Sequence, residues 1–111
     1  MRGADAIILN SQLMKFSELI QSETPVLLDF YADWCGPCRL MKPILEEVKN
    51  KMGDSVQIYK IDVDRNEGLA GQLAVRSIPT LMIFKKGEAV WRKAGVTSAE
   101  ELNSVLQQFQ S

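Results

Sequence analysis

Six consecutive residues constrain this chain more than any others. Val26-Leu27-Leu28-Asp29-Phe30-Tyr31 is a short apolar run bounded by Pro25 on one side and Ala32-Asp33 on the other. A strand with one wet face alternates apolar and polar residues, whereas a strand buried on both faces reads as an almost unbroken apolar run. The run therefore predicts a central strand in a sheet covered on both sides, with Asp29 as its one exception. A carboxylate there is costly to charge, so burial raises its pKa and leaves it ready to exchange a proton. The alternative is that Asp29 is an edge residue that reaches solvent.

The periods on either side of this run alternate between helix and strand. Leu40, Ile44, Leu45 and Val48 recur at helical spacing and stop near Gly53, which predicts a helix over 35–52 with a kink at Pro43. Val56, Ile58 and the stem of Lys60 share one side of a strand over 57–62. A short helix over 67–73 and a strand over 80–84 follow. Lys86-Gly87 marks a tight hairpin into a strand over 89–93. Ser98-Ala99-Glu100-Glu101 is a capping box ahead of Leu102, Val105, Leu106 and Phe109, an amphipathic closing helix. Before all this come a strand over Ala6–Leu9 and a helix over 13–21. The order is β-α-β-α-β-α-β-β-α, an α/β chain with a central mixed five-stranded sheet flanked by four helices. Strands separated by helices are parallel neighbours, and the last two form an antiparallel hairpin. With no repeat, low-complexity tract or linker, residues 1–111 read as one domain.

Composition removes several function classes. A net charge of −1 over 111 residues, with scattered cations, lacks the basic footprint that phosphate contact requires. Nucleic acid is therefore not an expected partner. No run approaches the roughly 18 apolar residues that span a bilayer. The apolar part of the amino terminus is too short for a signal-peptide core, and no small-residue cleavage site follows, so the expected location is cytoplasmic. Nothing in the pattern demands an obligate partner, and a monomer is expected.

The two cysteines of the chain, Cys35 and Cys38, stand where the central strand ends and the predicted helix begins. Disulfide exchange needs a thiolate to attack a sulfur in line and a second thiol to resolve the product. A two-residue spacing on a first helical turn brings the sulfurs within bonding reach while leaving the first exposed. At a helix start Cys35 feels unpaired N–H groups and the positive end of the dipole, and both favour its thiolate. Pro37 fits because a first turn does not use its N–H, and Gly36 lets another backbone approach the attacking sulfur. Zinc or iron–sulfur ligation needs four ligands, which two thiols and no histidine do not supply, so no metal is expected. A purely structural bridge closing so short a loop gains little. Beside a βα unit, the spacing is a redox signal.

VLLDFYADWCGPCRLMKP at 26–43, RSIPTLMIFKKGE at 76–88 and KAGV at 93–96 together resemble the thioredoxin family, in the right order and across essentially the whole chain. The resemblance implies the thioredoxin fold. It also implies that Cys35 is the nucleophile, that Cys38 is the more buried resolving thiol, and that Trp34, Gly36 and Pro37 complete the motif. Pro79 matches the family's cis-proline. Beside it, Ser77, Ile78, Ala94, Gly95 and Val96 would form with Trp34 a rim that takes an extended substrate segment. Asp29 becomes the proton acceptor for Cys38, through water, and Lys60 the lysine that modulates it. The bland alternative for Lys60 is a strand-end lysine that snorkels to solvent. Tyr31 stands where many members carry tryptophan, and Ser77 where glycine is frequent. For Trp91 the resemblance supplies no role, and core or sheet packing is expected.

The implied activity is protein disulfide reduction, with re-reduction by a thioredoxin reductase. This chain has no Gly-rich loop leading from a strand into a helix, so it needs a flavoprotein partner to bring electrons from NADPH. An exported oxidase or isomerase would use the same pair. Against it, Gly-Pro between the cysteines resembles reducing members, whereas oxidising relatives usually carry histidine there. A third class, a structural subunit of a larger enzyme, would not need the cysteines at all.

Overall fold

The computed structural model describes residues 5–110. The predicted central strand, β3 (Val26–Tyr31), forms and has a neighbour on each edge. Ahead of it in the chain lie β1 (Ala6–Leu9), β2 (Gln12–Lys15) and α1 (Phe16–Leu19). After it come α2 (Met41–Met52), β4 (Gln57–Asp62), α3 (Glu67–Gln72), β5 (Thr80–Lys85), β6 (Glu88–Ala94) and α4 (Ala99–Gln108). The sheet order is β4-β3-β5-β6, with β3 parallel to β4 and antiparallel to β5, and β6 antiparallel to β5.

Alternate residues of β3 and β5 feed two separate cores. Val26, Leu28, Phe30, Met82 and Phe84 pack with Ile7, Phe16, Leu19 and Leu69 on the side of β1, α1 and α3. Leu27, Leu81 and Ile83 pack with Met41, Leu45, Val48, Leu102 and Leu106 on the side of α2 and α4. This two-sided burial is the physical reason that 26–31 is apolar throughout apart from Asp29. Trp91 is half-buried against the second core, which is the packing role expected for it.

The class agrees with the sequence, and so do the four α-helices among the described residues, but there the main sheet has four strands rather than five. β1 pairs antiparallel with β2, which replaces the first turn of the helix expected over 13–21. The two-residue loop has Asn10 at φ 52° and Ser11 at φ 63°, the positive values that a type I′ hairpin turn requires at both positions. The helical spacing of Leu13 with Phe16, Leu19 and Ile20 is misleading, since Leu13 is 73% exposed while the other three are buried. β1 lies beside β4, packs through Ile7 and Leu9 into the first core, and is also hydrogen-bonded by the side chain of Asn66. The Ile8 N–H donates to Asn66 Oδ1 (2.6 Å), and Asn66 Nδ2 donates to the carbonyls of Ile8 (3.2 Å) and Asp62 (2.9 Å).

Two local signals behave as their chemistry requires. Lys86 and Gly87 adopt φ 53° and 87° in the β5–β6 turn. Ser98 caps α4 by accepting the Glu101 N–H at 3.1 Å, although the Glu101 carboxylate goes to Lys93 Nζ (2.8 Å). The helix expected over 35–52 is divided into a 3-10 turn, Pro37–Leu40, and then α2. Pro43 has no N–H to offer the Arg39 carbonyl, so the change of winding falls in the turn that this proline weakens.

Replacing Asn66 by alanine removes these side-chain hydrogen bonds and leaves the Ile8 amide without its acceptor. We expect Asn66→Ala to lose about 2 kcal/mol in urea unfolding, and Ser98→Ala about 1 kcal/mol. An Asn66→Ala loss no greater than that of an exposed substitution would show that the asparagine does not hold β1 in place.

Candidate active site

The site forms at the carboxyl end of β3, where the strand leaves the two cores. The Cys35 N–H donates to the Ala32 carbonyl at 3.2 Å, closing a turn that carries Asp33 and Trp34 outward. Cys35 and Cys38 are joined by a disulfide, with their Cα atoms 5.3 Å apart. Together with Ala32 they make a small third cluster against which Tyr31, Val63 and Ile78 pack.

Two expectations about the pair need correction. Cys38 is not the more buried of the two, because both residues are 4% exposed in this disulfide form. Nor does regular α-helix begin at Cys35, since a four-residue 3-10 turn from Pro37 comes first and then passes directly into α2. A specific donor adds to the start of this helical stretch. The Cys38 N–H points at Cys35 Sγ from 3.2 Å. Pro37 occupies the first position of that turn, as its missing N–H allows. Gly36 has φ −60°, which any residue adopts, and a Cβ built on it would meet nothing within 4 Å. The chain itself therefore does not require glycine at 36.

On the opposite side, the Ile78–Pro79 peptide is cis, and the Ile78 carbonyl oxygen stands 3.8 Å from Cys35 Sγ. The loop is braced twice. Thr80 Oγ1 donates to the Ser77 carbonyl (2.5 Å), and the Gly95 N–H donates to the Pro79 carbonyl (2.7 Å). The second bond fastens Gly95 to the proline loop, and Ala94 pairs with Thr80 in the β5–β6 register. Gly95 sits at φ 102°, a conformation that L side chains rarely adopt. Ser77 is exposed, Ile78 half-buried, and Val96 and Trp34 are 42% and 70% exposed.

Asp29 is 0% exposed and lies on a central strand, which removes the edge alternative. Neither of its oxygens has a hydrogen-bond partner among the described residues. Burial pushes its pKa from 3.8 to about 6, and the positive charge of Lys60 holds the rise in check. Lys60 pairs with Asp29 in register across β3–β4, so both side chains leave the same face. Its stem nevertheless runs to the surface. The residue is exposed, and Nζ lies over the Tyr31 ring, 4.6 Å from the centroid. The Tyr31 phenol is itself pushed up, first by burial and then by Asp62, Asp33 and Asp29, with Arg65 opposing.

Asp64 escaped the reading of the sequence. Its Oδ2 accepts the Trp34 indole N–H at 2.8 Å and so orients a ring that is otherwise in solvent. A signal was present, because loops following adjacent parallel strands emerge at the same end of a sheet. Asp64 follows β4 as Trp34 follows β3. Among the described residues, no group of three or more His, Cys, Asp or Glu is placed to hold a metal ion, and no helix is long and apolar enough to cross a membrane.

The buried carboxyl has a measurable consequence for stability. The folded state binds the Asp29 proton more tightly than the unfolded chain does. No penalty exists below about pH 4, it grows as the pH rises towards 6, and it is complete above that. We expect Asp29→Asn to stabilise the oxidised protein at pH 7 by up to about 3 kcal/mol, with the gain vanishing near pH 4. Parallel urea unfolding curves at the two pH values check this, and equal gains at both would refute it.

Comparison with known proteins agrees with this geometry. The thioredoxin family profile matches residues 7–108. A thioredoxin-like protein of Synechocystis sp. is 44% identical over 102 residues, covering 91% of this chain and 97% of its own. The thioredoxin of Bacillus subtilis is 48% identical over 85 residues, covering 77% and 82%. Among solved structures, a mutant thioredoxin from Halobacterium salinarum superposes with a TM-score of 0.79 at 34% identity, covering 87% of this chain and 84% of that one. A Cys-x-x-Cys disulfide at the end of a central strand, facing a cis-proline loop, is thus accompanied by a family match over nearly the whole length, and the chain belongs to the thioredoxin family as a thiol–disulfide oxidoreductase.

Proposed function

We propose that this thioredoxin acts as a reductase of disulfides in other proteins, with Cys35 as nucleophile and Cys38 as resolving thiol. The observation that supports the assignment most directly is the setting of Cys35. Its sulfur faces the Ile78 backbone on one side and receives the Cys38 N–H on the other. In the dithiol form that N–H stabilises a Cys35 thiolate. The thiolate attacks one sulfur of the substrate disulfide, forming a mixed disulfide, and the departing thiolate takes up a proton. Cys38 then gives its proton to Asp29 and attacks Cys35 Sγ. The Cys35–Cys38 bond forms, the mixed disulfide breaks, and the second substrate sulfur leaves as a thiolate that takes up the proton passed on from Asp29 through water. Two electrons and two protons have passed to the substrate.

The remaining residues bind and tune. Ser77, Ile78, Ala94, Gly95 and Val96, with Trp34, form the rim against which an extended substrate segment lies, and Pro79 presents no N–H beside the sulfurs. Asp29 suits the acceptor role because it is buried and has no protein group bonded to its oxygens among the described residues. Lys60 tempers its basicity by charge. Thioredoxins in general act on disulfides and are reduced by thioredoxin reductase. For this chain we assign the same partner, a flavoprotein that draws on NADPH, and a cytoplasmic place of action, where a reducing dithiol is kept reduced.

The reduction potential of the Cys35–Cys38 couple, measured against a glutathione buffer and followed by tryptophan fluorescence, decides the direction. We expect a value well below that of the glutathione pool. A value at or above it would make the protein an oxidant or isomerase. In an insulin assay coupled to NADPH and thioredoxin reductase, Cys35→Ser is expected to abolish turnover, and Cys38→Ser to accumulate the mixed disulfide. Asp29→Asn should slow resolution at pH 7 by about 10²-fold and erase the fall in rate of the parent protein below about pH 6. An unchanged pH profile in Asp29→Asn would remove Asp29 from the mechanism.

A further inference from the structure

Lys60 and Asp29 lie directly opposite each other in the β3–β4 register, yet no hydrogen bond joins them and both Asp29 oxygens lack partners among the described residues. The lysine therefore acts on the carboxyl only through space, and its effect depends on where the ammonium group rests. Four rotatable bonds and an exposed setting would let that group wander. What defines its place is Tyr31. This residue follows Asp29 by two along β3, so its side chain leaves the same face. Its ring lies beneath Lys60 Nζ, 4.6 Å from the centroid, within the range of a cation–π contact.

We propose that Tyr31 is a positioning residue, whose ring face holds the Lys60 ammonium at a fixed place beside Asp29 and thereby sets how readily the buried carboxyl takes the Cys38 proton. The proposal rests on the reading of Asp29 as proton acceptor. The surroundings offer the ammonium other places. Glu46 on α2 lines the same shallow surface cleft as Lys60, together with Lys42 and Lys49, so without the ring the ammonium has a second carboxylate within its surroundings. The other charged groups around the ring are Asp33 beyond the end of β3, Asp62 on β4 and Arg65 in the turn after it. β5 sets only Leu81 opposite Asp29, and the two cysteines do not titrate while bonded. Lys60 is thus the cation paired in register with the carboxyl, and Tyr31 the group that holds it.

The test titrates the Asp29 side-chain carbonyl carbon by NMR in the oxidised protein, with the resolution rate measured separately. Tyr31→Leu is expected to move the midpoint upward, by a factor of about three in the protonation constant, because Lys60 is released. Tyr31→Phe keeps the ring and restores the parent midpoint. Lys60→Met raises the midpoint as well, and adding Tyr31→Leu to Lys60→Met raises it no further. A Tyr31→Leu midpoint equal to that of the parent overturns the proposal. So does a Tyr31→Leu rise of equal size in the parent and in the Lys60→Met variant, which would mean that the ring acts by packing alone. Should Tyr31→Leu fail to fold, Tyr31→Trp decides, since the stronger ring lowers the midpoint while Lys60 is present and leaves it unmoved in the Lys60→Met variant. If the midpoints move as described while the resolution rate does not follow them, the positioning role stands and the proton-acceptor role falls.

Discussion

The burial of β3 on both faces is the constraint on which the rest of this molecule depends. Its residues point alternately into two cores, so every position from 26 to 30 is closed to solvent. Hydrogen bonding to β4 on one edge and β5 on the other leaves only the carboxyl end of the strand free to present chemistry. The two cysteines occur at that end. Because β4 runs parallel to β3, the turn after β4 opens at the same end and brings Asp64 to Trp34. Antiparallel β5 begins there, and so the cis-proline loop before Thr80 meets Cys35. One buried strand with one parallel and one antiparallel neighbour thus collects three loops at a single point.

Asp29 is where this architecture conflicts with stability. A leucine or valine there would continue the second core, whereas the carboxyl has neither solvent nor a bonded partner among the described residues. Retaining such a group costs folding free energy at neutral pH, and the proposed role of Asp29 as proton acceptor draws on that cost. A carboxyl comfortable in its charged form would have little affinity for a thiol's proton. The Lys60 charge offsets part of the penalty from a distance. The two effects therefore work in opposite directions on one group, with burial the larger.

Much of this was legible along the chain because it is local chemistry. The Lys86-Gly87 hairpin and the Ser98 cap are short-range preferences of backbone and side chain, and neighbours in space did not overturn them. Asn10-Ser11 was harder to read, since serine is an unusual residue at positive φ and the following Leu13 falls into helical step with Phe16, Leu19 and Ile20. β1 there is also held by Asn66, distant in sequence, whose amide bonds both backbone groups of Ile8. No pattern within β1 indicates that partner.

The sequence by itself determined the class of fold, the redox pair and the anomaly at Asp29, because each is carried by a few residues in fixed linear order: an apolar run, a two-residue spacing, one acid among hydrophobes. Tertiary structure alone decided which groups surround those residues. It withdrew Asp29 from every partner among the described residues, laid the Lys60 ammonium on Tyr31, gave Trp34 to Asp64 and made the two cysteines equally inaccessible in the disulfide form. The physical reason is that solvation, charge and contact distance are properties of three-dimensional neighbourhoods. Strand register and loop placement create those neighbourhoods from residues that lie far apart along the chain.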